Sequence, residues 1–264
     1  MSATTPLSSN GYTYLYCIVR GEPFQDGAPA FSAKAIGDLG NPVYTVHFMD
    51  LAAVVSHSPV ARYDIGRENT LAHQRVIEDA MTRSDVLPIR FGTVSKSVED
   101  VREKLLKRKF GEFHHLLRYV EGRMELGLKV FWRRERLFAE IATEDARIRA
   151  LRDAIAGRSA EESHYPRIQL GHLTEEAFVR KRDREAEAIV EMFRPLAVET
   201  KVNKILTDMM VVNAAFLVDK TQVPAFDAKI NALDEAEAGR LILKYAGPLP
   251  PYNFVNIVVY WEED

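Results

Sequence analysis

The chain has 264 residues, 47% hydrophobic and 28% charged, with 38 acids against 35 bases and a formal charge of −3. So large an apolar share with mixed charge argues against a disordered or membrane-spanning chain, and the length suits one large or two medium domains. The near-balance of charge lacks the broad positive field that nucleic acid or an anionic membrane requires, so neither is expected as a partner.

Met1 to Asn10 is small and polar without a basic-then-apolar order, and reads as a flexible tail rather than a signal peptide. Tyr12 to Val19 is rich in aromatic and β-branched residues and predicts a strand, followed by a long Gly/Pro/Ala loop from Gly27 to Pro42. Val43 to Phe48 and Leu51 to Ser56 predict a hairpin turning at Met49-Asp50. An amphipathic helix is expected over Glu68 to Arg83, and a strand over Asp85 to Val94 with Pro88 near its start. Ser97-Val98-Glu99-Asp100 predicts a capping box that opens a helix running towards Gly122.

Beyond Gly122, Met124, Leu126, Leu128, Val130 and Trp132 alternate with Glu125, Gly127, Lys129 and Phe131, the pattern of a half-buried strand. Two charged helices with narrow apolar seams, Arg136 to Ala156 and Thr174 to about Leu196, predict a helical hairpin over about 134–196, with Arg158 to His172 as its tip loop. Strands are then expected at Ile205 to Val211, Ala214 to Val218, Leu241 to Tyr245 and Phe254 to Trp261, with a helix at Pro224 to Leu233. The longest apolar stretch, Met209 to Val218, is about half the roughly twenty residues of a membrane span. This order predicts an α+β protein of two domains. Residues 11–122 form a smaller α/β sheet domain, and residues 123–264 a ferredoxin-like (split βαβ) domain carrying the helical hairpin.

The residues offer little chemistry. None of the seven histidines forms an H-E-x-x-H pair, and adjacent His114 and His115 point apart on a helix. His47, between Val46 and Phe48, reads as an interior imidazole. Cys17, alone and among apolar neighbours, reads as a buried hydrophobe in a reducing cytoplasm, not as a nucleophile. No phosphate-binding glycine loop or nucleophile elbow is present. Charge is uneven: Lys96 to Arg136 holds 12 bases against 7 acids, while Asp219 to Asp264 holds 4 against 8. No catalytic residue, cofactor or metal site is expected. Two readings compete: an enzyme or small-molecule binder on a ferredoxin-like scaffold, with a pocket converging on His47, His57 or Cys17, and a nucleic-acid-associated regulator binding through Lys96 to Arg136.

Four ordered segments carry a resemblance: Leu87-Pro88-Ile89-Arg90-Phe91-Gly92-Thr93-Val94, Glu125-Leu126-Gly127-Leu128-Lys129-Val130-Phe131, Val212-Asn213-Ala214-Ala215-Phe216-Leu217-Val218, and Gly247-Pro248-Leu249-Pro250-Pro251-Tyr252-Asn253-Phe254-Val255. Together they resemble the gas vesicle protein F/L family nearly end to end. The resemblance implies a non-enzymatic accessory protein of gas vesicle assembly, cytoplasmic and associated with the vesicle. Its partners would be the hydrophobic shell protein and other accessory proteins, with no small-molecule substrate. Arg90, Lys129, Phe131, Tyr252 and Phe254, inside or beside these segments, are the expected partner-binding residues.

Overall fold

Tyr12–Arg20 carries no charge before Arg20, and it forms β1, a strand buried along seven consecutive residues at the centre of a sheet. The computed structural model describes residues 11–25, 28, 30–37, 40–159 and 161–261. The chain is mixed α+β and divides into two compact units, Met1–Glu125 with Pro248–Asp264, and Leu126–Gly247. The expected tail at 1–10 and the acidic Glu262 to Asp264 lie outside the described residues.

In the first unit the hairpin forms as expected from β2 (Val43–Phe48) and β3 (Leu51–Ser58), closed by a two-residue turn with Phe48 opposite Leu51. Met49 takes φ 53° there, a left-handed conformation that such turns impose. The strand order is β2-β3-β1-β4, with β5 also beside β1. A β-bulge between Leu15 and Cys17 shifts the faces of β1. Tyr14, Tyr16, Cys17 and Val19 therefore join the core under α1 (Arg67–Met81), while Leu15 and Ile18 join the opposite core.

That opposite core is covered by one helical run: α2 (Val98–Asp100), a π-helical stretch Val101–Lys107, and α3 (Phe110–Val120). The Ser97 hydroxyl accepts the Asp100 N–H at 3.0 Å, so the expected cap is made.

The strand expected over Asp85 to Val94 is broken. β4 (Val86–Pro88) pairs with Cys17 to Val19, and β5 (Val94–Ser95) pairs with Thr13 and Tyr14. Between them Gly92 takes φ 82°, and the Thr93 hydroxyl donates to the Arg90 carbonyl at 2.8 Å. The break lies opposite the bulge in β1, where a straight partner would lose register.

The C-terminal segment departs from expectation in two ways. Pro248 onwards belongs to the first unit, not to a domain running from 123 to 264. Residues 255–261 also form no strand. Their alternation is nonetheless used, because Val255 and Ile257 bury themselves beside Val101, Leu105 and Phe113, with Val259 and Trp261 packed against that cluster. The backbone is held by side chains instead of a ladder: Lys109 Nζ donates to the Val258 carbonyl at 3.2 Å.

The second unit is built on β6 (Arg123–Trp132), whose apolar face is formed by Leu126, Leu128, Val130 and Trp132 as expected. The helical region holds three helices, not two: α4 (Arg134–Glu144), α5 (Ala146–Ile155) and α6 (His164–Phe193). Asp145 breaks the first expected helix by adopting an extended backbone and capping α5 through the Arg147 N–H at 2.9 Å. The expected tip loop is mostly helix, since α6 begins at His164 and runs 30 residues, roughly 45 Å. Its first turns hide from a periodicity reading because they bury little; Tyr165 is 82% exposed. Pro166 is tolerated in a first turn, where no intrahelical N–H is needed.

The edge strand β7 occupies Glu199–Val202, not Ile205 to Val211. β8 runs unbroken through Met210–Asp219, because the Asn213 amide donates to the Lys204 carbonyl at 2.7 Å and is satisfied inside the strand. α7 (Val223–Glu237) and β9 (Leu241–Leu249) complete the order β7-β8-β6-β9. Phe193, Phe216 and Phe226 meet with ring centroids 4.8–5.8 Å apart, joining α6, β8 and α7 in one core.

Candidate partner-binding surfaces

Three of the five expected residues lie in the first unit. Arg90 Nη2 donates to the Asn256 side-chain carbonyl at 2.7 Å, fixing the C-terminal segment against the β4–β5 turn. Phe254 is buried. Tyr252 shows 40% of its surface, yet its hydroxyl lies 3.0 Å from His73 Nε2. Lys129 and Phe131 lie in the second unit on one face of β6, Lys129 exposed and Phe131 half-buried with Lys244 Nζ 5.2 Å from its ring centre.

His73 on α1 is a buried histidine that the sequence did not single out, because one histidine on an amphipathic helix reads as polar surface. Its Nδ1 accepts from the Tyr14 hydroxyl at 3.1 Å, and Tyr14 itself accepts the Gly92 N–H at 2.9 Å. Its Nε2 lies 3.2 Å from the Ile89 carbonyl, which can only accept, and this assigns the proton of the neutral ring to Nε2. Burial lowers its pKa to about 4, against the opposing pull of the Ile89 carbonyl, and burial raises the Tyr14 and Tyr252 phenols. His47 is half-buried and bonded to Thr45 at 2.9 Å, so the interior imidazole expected there stands at position 73 instead. Burial raises the Cys17 thiol far above the range in which a thiolate forms.

The second polar centre lies in the second unit. Lys181, 5% exposed, sits 2.7, 3.0 and 3.1 Å from Glu144, Glu140 and Glu185. Arg240 meets Glu185 at 2.8 Å and Glu237 at 2.7 Å, and the Trp132 indole donates to Glu185 at 2.8 Å. Burial would raise the Glu185 carboxyl, but Arg240, Trp132 and Lys181 bring it below its usual value. The network anchors α4 and α6 to the sheet and spends every charge internally.

Open surface lies elsewhere in this unit. Among the described residues β7 pairs with β8 alone, from Glu199 opposite Leu217 to Val202 opposite Ala214. Val198, Val202, Ile205 and Leu206, on and around it, are 46, 62, 36 and 65% exposed. The opposite edge, β9, carries Lys244, which discourages strand addition. Among the described residues no group of three or more histidine, cysteine or carboxylate side chains could hold a metal, and no helix is long and apolar enough to cross a membrane.

These features define a two-unit α+β protein whose two buried polar centres, around His73 and Glu185, are hydrogen-bonded internally and whose second unit displays an apolar sheet edge. Residues 12–256 match the family described as Gas vesicle synthesis protein GvpL/GvpF, and the chain belongs to that family. It is 30% identical over 252 residues to gas vesicle protein F of Streptomyces sp. (strain CB03234), covering 92% of this chain and 99% of that one. With gas vesicle protein F of Microcystis aeruginosa (strain PCC 7806) it shares 26% identity over 247 residues, 93% of this chain and 98% of the relative. The crystal structure of the gas vesicle protein GvpF from Anabaena sp. PCC7120 is similar with a TM-score of 0.78 at 26% identity, covering 94% of this chain and 100% of that chain.

Proposed function

We propose that this chain is a non-enzymatic accessory protein of gas vesicle assembly that binds the hydrophobic shell protein and other assembly factors in the cytoplasm, at the growing vesicle. The observation that carries the reading is the open β7 edge with its four exposed apolar neighbours. A shell subunit before assembly exposes apolar surface and strand edges prone to uncontrolled pairing, and an edge strand can cover them by adding strand to strand. Lys129 and Phe131 offer a further contact face, whereas Arg90, Tyr252 and Phe254 would act through the C-terminal segment they hold. The order β7-β8-β6-β9 supports a ferredoxin-like arrangement of the second unit, with α4 to α6 as its first crossover and α7 as its second.

The test is co-purification of the tagged full chain with the shell protein, compared with a Val202→Lys, Leu206→Asp variant. The variant should lose the shell protein while keeping its fold by circular dichroism, and a strain lacking the gene should form no intact vesicles. Undiminished capture by the variant overturns the edge-strand reading, and normal vesicles in a deletion strain with no redundant relative overturn the assembly role.

A further inference from the structure

We propose that the cleft between α4, α6 and the residues before β8 is a docking groove for an amphipathic helix whose apolar stripe is bracketed by acidic residues at both ends. The cleft measures about 700 Å3, and Phe138, Leu170, Phe178, Val179 and Met209 supply its apolar lining. Phe138 and Val179 are 46% and 38% exposed, unusually open for side chains gathered in one place.

On α6 the lining positions 167, 170, 171, 174, 178 and 182 recur every three or four residues and so share one face. From Arg167 to Arg182 that face extends roughly 22 Å, enough for about four turns of a partner helix. Gly171 lies between, and a Cβ there would meet nothing within 4 Å. A partner backbone can therefore approach closely at its centre.

Two of its walls are the helices α4 and α6, whose backbone N–H and C=O groups are paired along the helix. No ladder is open to a strand, and a partner must bring its own hydrogen-bonded backbone.

Charge selects the partner further. On the α6 flank facing α4 and α5, the cations are paired: Arg180 with Asp145 and Glu176, Lys181 with three glutamates, Arg184 with Glu144. In the cleft, Arg134 and Arg167 meet no carboxylate among the described residues. Arg134 instead lies 5.9 Å over the Phe138 ring, while Arg182 lies 6.0 Å over Phe178 and its Nε meets the exposed Asp183 at 3.6 Å. Arg167 thus stands at one end of the stripe and Arg182 at the other. Glu175 falls midway, and Asp208 also lines the cleft, so the partner's acids belong at its ends with a neutral or basic residue at mid-length. The groove shares no lining residue with the apolar residues of the β7 edge and does not depend on that edge binding a shell subunit.

Two labelled helical peptides of about 18 residues with one leucine stripe test the groove, one ended by glutamates and one by lysines, titrated by fluorescence anisotropy against the full chain. The glutamate-ended peptide should bind about tenfold more tightly, and an Arg134→Glu, Arg167→Glu double variant should reverse that order. Gly171→Leu, which fills the groove while favouring the helix, should abolish binding of both. Equal binding of the two peptides, no binding of the acidic one, or binding indifferent to Gly171→Leu overturns the proposal. So does a dimer in sedimentation velocity that Gly171→Leu dissolves, since a second copy of the chain would then be the occupant.

Discussion

The Trp132 indole donates to Glu185 across 2.8 Å, tying the end of β6 to the middle of α6. Glu185 also faces Lys181 and Arg240, so removing it leaves two partly buried cations short of a counter-charge. Glu185→Ala should cost about 3 kcal/mol, at the low end for a buried pair because Lys181 keeps Glu140 and Glu144 and Arg240 keeps Glu237. Urea unfolding measures it. A double-mutant cycle of Trp132→Phe with Glu185→Gln should show a coupling of about 1 kcal/mol or more.

Acid should weaken the first unit through His73. Folded, its pKa is about 4; unfolded, it returns to 6.5. Between those values the unfolded chain binds the additional proton, so the stabilisation is whole above pH 6.5 and is lost as the pH falls towards 4. The loss should be on the order of 3 kcal/mol. Among the described residues the ring's neighbours are aromatic and uncharged, Tyr14, Tyr16, Phe91 and Tyr252, and none offers an imidazolium a counter-charge. Urea midpoints measured across this range should fall more steeply for the native protein than for His73→Gln; parallel slopes would refute the assignment.

Gly92→Ala isolates a backbone effect. A Cβ at this position meets nothing within 4 Å, so its cost arises from φ 82° alone. About 1–2 kcal/mol of destabilisation is expected, and less for Gly92→Asn, which tolerates the left-handed region better. Thermal unfolding of the three proteins checks the order.

Ending the chain at Gly247 should destabilise the first unit, although most of that unit precedes residue 126. The cut uncovers the core around Val255 and Ile257 and removes the Asn253 backbone and side-chain N–H groups, which the Glu125 carboxylate accepts at 2.9 and 2.6 Å. Loss of the two aliphatic side chains alone amounts to roughly 3–6 kcal/mol. Hydrogen exchange should report faster opening of β1 and α3 in the shortened chain.

Much of this fold was legible in local pattern. The hairpin at Met49-Asp50, the cap at Ser97, the α1 face of Val76, Ile77 and Ala80, and the alternation of β6 each depend on residues a few positions apart. Misreadings came where distant residues set the outcome. The bulge in β1 divides β4 from β5, Lys204 satisfies Asn213 inside β8, and α6 extends beyond its buried face into turns with no apolar period.

The candidate surfaces were less legible. Exposed Ile205 and Leu206 read as strand residues, because an apolar pair looks the same whether a neighbour covers it or not. The cleft was invisible, since its lining comes from α4, α6 and the residues before β8, which are far apart in sequence.

By itself the sequence determined the class of protein: an α+β chain of near-neutral charge, one cysteine and a family-wide order of motifs, because composition and periodicity act over short range. Tertiary structure decided where the C-terminal residues go, which histidine is buried and which charges stay unspent. Each of those follows from which groups lose water, and that depends on contacts between segments a hundred or more residues apart, such as Glu125 with Asn253 and His73 with Tyr252.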